Sequence, residues 1–197
     1  MGLIIHYLSS MLPYMIIALP LLLIVRVRIY LARKKLGSKP NLFHELGVAV
    51  FILFLVGLAS QTIIPAWGLN VGGIEFLMSP LDRINLIPFQ SFIIIGRIFS
   101  RGGYPDIQII QVLGNIGMFS VIGFMLPVLW KRFEKAIRTV QTCFYSSLAI
   151  EVVQLFTGRS TDIDDLILNT FGGLLGFLLY AAIKKTMRYD ALDKFNF

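Results

Sequence analysis

An all-α integral membrane protein, a bundle of about five transmembrane helices, is the fold this sequence predicts. Hydrophobic residues fill 56% of its 197 positions and charged residues only 15%, with a mean hydropathy of +0.78. A soluble domain of that length needs a larger polar surface. Apolar stretches of about 18 or more residues, long enough to cross a ~30 Å hydrocarbon core, recur at 3–25, 43–64, 107–130, 139–157 and 164–183. The basic residues gather in alternate connections between them.

The first stretch contains Pro13 and Pro20, which membrane helices tolerate better than soluble ones. No basic region precedes it and a basic cluster follows, so a retained helix is expected rather than a cleaved signal. After the second stretch comes the longest connection, 65–106. Within it, PFQSFIIIGRIF (88–99) is apolar but too short to span, which predicts an interfacial or re-entrant segment. Asn85 and Pro88 ahead of it favour a turn. The fourth stretch carries Cys143, the single cysteine, which can form no intramolecular disulfide. No internal repeat or low-complexity tract is visible. The expected organisation is two helices with a basic loop (1–79), a unit of outer loop plus three helices (80–183) and a tail (184–197).

Six Lys/Arg lie at 26–39, four at 131–138 and four after 183. With five spans these segments share one side, and the positive-inside rule assigns that side to the cytoplasm. The amino terminus is then outside and the carboxyl terminus inside. The net charge of +7 is thereby read as a topology signal with some attraction for anionic lipid, and nucleic acid is not an expected partner.

Polar residues inside the spans fall on stripes. Gln108, Gln111 and Asn115 share one helix face, as do Ser147, Glu151 and Gln154, while Asp165 and Asn169 lead to Gly172, Gly173 and Gly176. At 1.5 Å per residue, Glu151 lies ~9 Å inward from Thr157, Asn169 ~8 Å from Asp164 and Asn115 ~12 Å from Ile107. A charge at a helix centre costs about 2.5–3.5 kcal/mol, so such groups face a bundle interior or cavity. A polar, outward-open pocket built by the last three spans is expected, with TGRSTDIDD (157–165) as the turn at its mouth.

Competing structural roles are specific. Thr161 and Asp164 match a capping box, and Asp162, Asp164 and Asp165 suit a helix amino-terminal dipole. Asp165 serves pocket and cap equally well. Gly172 and Gly176 form a small-xxx-small packing device. His6 and His44 sit near opposite membrane faces and read as structural. Glu151 and the aspartates are hard-cation ligand types, but no His/Cys set joins them and the spacing is not that of an EF-hand. No metal and no cofactor is expected.

RINLIPF (83–89), GNIGMFSVIGFMLP (114–127) and EVVQLFTGRSTDIDDLILNTFGGLLG (151–176) together resemble the boxes of the VanZ-like membrane protein family. The resemblance covers about residues 80–183. Val121 stands where the family pattern has proline, so the third span is expected to run straighter. The resemblance implies a bacterial cell membrane and, for the family's namesake, low-level resistance to teicoplanin-type glycopeptides; it supplies no biochemical mechanism.

Two functions compete. The first is a resistance or binding protein whose outer pocket engages a glycopeptide antibiotic or a lipid-linked cell-wall precursor, lined by Arg83, Asn85, Asn115, Glu151, Gln154, Arg159, Asp162, Asp165 and Asn169. The second is an intramembrane enzyme in which Glu151 acts as general acid or base and Asp165 orients it, with Arg83 and Arg159 on an anionic headgroup. No Ser-His or Cys-His pair or phosphate-binding glycine loop accompanies those carboxylates. A scaffold whose polar stripes only join helices is a third reading. Membrane lipids are expected partners in each, and the sequence leaves the oligomeric state open.

Overall fold

A computed structural model of the chain describes residues 2–37, 41–63, 84–157 and 160–186. The elements run α1 (Gly2–Lys35), α2 (Leu42–Thr62), β1 (Ile84–Asn85), α3 (Gln90–Ser100), α4 (Asp106–Leu129), α5 (Ala136–Thr157), β2 (Thr161–Asp162) and α6 (Ile163–Thr186), with a 3₁₀ turn at Lys131–Phe133 between α4 and α5. The protein is an all-α, multi-pass membrane protein. Its surface carries the apolar residues that a soluble protein buries: Ile17 and Leu21 of α1 and Leu178 and Leu179 of α6 are exposed.

Among the described residues four helices, α1, α2, α4 and α6, are long and apolar enough to cross a membrane. The fifth expected span, α5, has 22 residues, about 33 Å, but its Thr, Ser, Gln and Glu residues lower its hydropathy. It nevertheless lies antiparallel to α6 along its length. Glu134, just before α5, meets Lys184, Ser147 meets Asn169, and Glu151 meets Asp162. The composition count is thus four, with α5 set beside them by packing.

α1 continues past the expected end at residue 25 because Arg, Lys and Leu are good helix formers; it stops before Gly37, which adopts φ +78°. α2 returns antiparallel to it. Asn41 caps α2 by accepting from the Phe43 N–H, and Glu45 accepts from Arg26 and, at 3.0 Å, Arg33. At the far end Ser10 donates to Gln61.

The core lies where α2, α4 and α5 meet, around Phe51, Leu58, Phe119, Ile122, Leu126 and Leu129. Trp130 closes its basic end, edge-on to His44, Phe51 and Phe133. α4 runs unbroken through Val121.

Glycine decides how α6 meets α4. A Cβ at Gly172 would lie 2.4 Å from the Ile116 carbonyl oxygen, and one at Gly176 2.0 Å from that of Ser120. Both helices therefore touch backbone to backbone, and Ser120 Oγ adds a hydrogen bond to the Gly172 carbonyl (3.0 Å). The register, 115 with 165 and 120 with 176, makes α4 and α6 parallel.

Candidate functional site

The bundle has a basic end, where α4 finishes and α5 begins, and an acidic end, where α4 and α6 begin and α5 finishes. At the acidic end the chain brings together segments far apart in sequence. β1 and β2 pair in parallel, Ile84 opposite Thr161 and Asn85 opposite Asp162. The pairing lays the segment before α3 against the turn before α6.

Side chains fasten that junction. Asn85 Nδ2 donates to Asp162 Oδ1 (3.0 Å), while its Oδ1 accepts from the Ile87 N–H. The same Asp162 oxygen accepts from the Asp164 N–H (2.9 Å), the bond of a helix cap, so Asp162 caps α6. Glu151, buried on α5, accepts through Oε2 from the Asp162 N–H (3.0 Å). Thr161 Oγ1 donates to the Glu151 carbonyl.

Asp164 departs from expectation. The capping box with Thr161 is not formed, because the Asp164 carboxylate turns away from its own helix towards α3. It accepts from the backbone N–H groups of Phe89 and Ser91, the latter at 2.7 Å. α3 needs this acceptor. Its N-cap position holds Phe89, in a left-handed conformation (φ 63°) with no side-chain cap of its own. Asp164, 1% exposed, supplies from α6 what IPFQS lacks. That missing cap is a sequence signal that could have pointed to an outside partner.

Deeper in the bundle, Asn115 Nδ2 donates to Asp165 Oδ1 (2.6 Å), joining α4 to α6. Asn169 Nδ2 donates to Ser147 Oγ (2.9 Å), joining α6 to α5. The Asn169 Oδ1 is buried with no hydrogen-bond partner among the described residues. Gln154 faces another way, and its Nε2 donates to the Thr62 carbonyl at the end of α2 (3.0 Å). Of the nine site residues expected from sequence, Asn85, Asn115, Glu151, Asp162, Asp165 and Asn169 share the α4–α5–α6 end. Gln154 borders it towards α2. Arg83 and Arg159 lie outside the described residues.

The short apolar segment expected at 88–99 is α3, an amphipathic helix with none of its residues buried. Phe92, Ile93 and Phe99 are exposed. Tethered at its start by Asp164, it presents apolar side chains beside the acidic cluster, as interfacial helices do. No group of three or more His, Cys, Asp or Glu among the described residues is placed to hold a metal ion.

The cluster is built from the three motifs that stand out in the sequence, and a family model, VanZ/LLP1, matches residues 46–184, the stretch in which they lie. The chain belongs to the VanZ/LLP1 family. The match begins inside α2, so it takes in that helix as well as the outer segment and α4–α6. Over 85 residues the chain is 33% identical to Protein VanZ of Enterococcus faecium, an alignment covering 43% of this chain and 52% of that protein. It therefore spans about half the length of that relative. No solved structure matches the chain.

Proposed function

We propose that this VanZ/LLP1-family protein binds an amphiphilic cell-envelope ligand at the outer face of a bacterial membrane, and so modulates susceptibility to teicoplanin-type glycopeptides. The observation that carries this reading is the convergence of Asn85, Asn115, Glu151, Asp162 and Asp165 at one end of the bundle, beside the exposed apolar side chains of α3. A polar headgroup would meet the acidic and amide groups while its apolar part lies along α3. The basic connections at the opposite end support placing the acidic end outside and the carboxyl terminus in the cytoplasm.

The test is teicoplanin susceptibility in a sensitive host carrying no protein, the wild type or Glu151→Gln at matched membrane expression. Glutamine still accepts the Asp162 N–H, so this change removes charge and spares the turn. Protection by wild type and its loss in Glu151→Gln supports the reading. Equal protection by both removes the acidic cluster from the activity, and protection by neither removes the glycopeptide.

A second reading, a carboxylate-dependent enzyme acting on a lipid-linked substrate, is favoured by one observation. Glu151, Asp162 and Asp165 are within electrostatic reach of one another, an arrangement suited to acid–base work. It predicts product formation from such a substrate, abolished in Glu151→Gln with the fold retained. Saturable binding without turnover selects the first reading.

A further inference from the structure

At the basic end, away from the acidic cluster, an open cavity of about 440 Å³ is lined by Arg132, Phe133, Arg138, Gln141, Thr142 and Tyr145. The turn between α4 and α5 places both arginines on this cavity. Arg138 Nη1 donates to the Arg132 carbonyl (3.2 Å), and Arg132 lies over the Phe133 ring, 4.6 Å from its centre. Neither pairs with a carboxylate among the described residues. The one acid in the connecting segment 131–138, Glu134, is taken by Lys184 (2.7 Å) and Tyr180. Two cations that share a cavity with no counter-charge among the described residues favour an anion.

Thr142 also lines a second cavity, of about 370 Å³, which continues along α5 past Ser146 to Ala149 and Ile150. Its other walls are mostly apolar side chains of α2 and α4, among them Leu55, Phe119 and Ile122, and they reach Thr62 and Ile63 at the far end of α2. Arg138, Thr142, Ser146 and Ile150 stand four residues apart, so one face of α5 joins the cationic mouth to the apolar groove. From Arg138 to Ile150 that face is ~18 Å long, close to half of a ~30 Å hydrocarbon core. A cationic mouth leading into a mostly apolar groove matches an anionic lipid with its chain.

We infer that this face is a binding site for an anionic glycerophospholipid, its phosphate between Arg132 and Arg138 and an acyl chain in the groove between α2, α4 and α5. The ligand's charge and the place of its phosphate both differ from those expected at the acidic end. Arg forks suit phosphate oxygens geometrically, and the groove carries the apolar share.

The full chain, purified in detergent, is titrated with phosphatidylglycerol, phosphatidylcholine or glycerol phosphate, following bound lipid by native mass spectrometry and the unfolding temperature. The variants are Arg132→Gln/Arg138→Gln, which removes the cationic mouth, and Ala149→Trp, which fills the groove. The expected result is retention and thermal stabilisation by phosphatidylglycerol at least ten-fold more sensitive than by phosphatidylcholine, and lost in both variants. Each variant is first shown to give the wild-type elution volume and helical content. Should Ala149→Trp misfold, Ser146→Leu narrows the same groove. Equal response to the two lipids, or undiminished phosphatidylglycerol binding in the Arg pair variant, overturns the inference. Glycerol phosphate acting as well as the lipid also overturns it, since the groove then contributes nothing.

Discussion

The carboxylate of Asp164 accepts a hydrogen bond from the backbone N–H of Ser91, 73 residues earlier in the chain, at 2.7 Å. It is the N-terminal cap of a helix to which it does not belong. Replacing it with Ala leaves two amides at the start of α3 without their acceptor, at a cost of about 1–3 kcal/mol. The expected outcome for Asp164→Ala is faster hydrogen exchange confined to 89–93 and a lower unfolding temperature, with Asp164→Asn intermediate. Unchanged exchange at Ser91 would show that α3 holds itself.

Asn115 and Asp165 form a contact between parallel helices that a double-mutant cycle can isolate. Interhelical polar contacts in membranes average ~0.6 kcal/mol and reach ~1.7. Given its 2.6 Å length, the coupling between Asn115→Ala and Asp165→Ala is expected at about 1 kcal/mol. Steric trapping or denaturant unfolding in micelles measures it. A coupling of zero assigns the pair no share in holding α4 to α6.

The glycines of α4 and α6 separate sharply. Gly172→Ala or Gly176→Ala drives a methyl into backbone and is expected to cost at least 1–3 kcal/mol, the range for overpacking. Gly114 and Gly117, in the same bundle, have open space where a Cβ would go. Alanine there is expected to be neutral or stabilising by up to ~1 kcal/mol through helix propensity. Thermal unfolding of the four variants compares them directly.

Glu45 holds α1 to α2 through Arg26 and Arg33. Glu45 and Arg26 are largely shielded, whereas the Arg33 side chain is 38% exposed. Glu45→Ala is expected to cost about 1–3 kcal/mol and to increase proteolytic cleavage just after α1, at Leu36–Gly37. Arg33→Ala, removing the exposed partner, costs less than ~1 kcal/mol. Equal effects from the two would mean that shielding does not govern this pair.

Much of this architecture was legible in residue order. Apolar length marked the spans, and spacing of three and four put Asn115, Glu151, Asp165 and Asn169 on inward faces because membrane burial leaves polar groups nowhere else to go. Small residues at 172 and 176 announced close packing for the same reason. Partners were less legible. Asp164 looked like a cap for α6 because capping is a local pattern, and its true partners lie beyond two intervening helices. Gln154, counted with the pocket stripe, reaches α2 instead, since a helix face four residues wide borders two neighbours. The Arg132–Arg138 cavity was hidden within a basic excess read as a topology signal with a general attraction for anionic lipid, because which cations share a cavity depends on the turn between α4 and α5.

The long-range cap has a consequence for biogenesis. At ~5–20 residues per second of synthesis, Asp164 emerges several seconds after Ser91, and only once α4 and α5 have been made. Through that interval α3 and the strand before it lack their acceptor and their pairing partner, so water or a chaperone must serve the open amides. Closure of this end therefore waits until residues 161–164 have been made, and a chain stalled before residue 161 keeps the amides at the start of α3 without this acceptor.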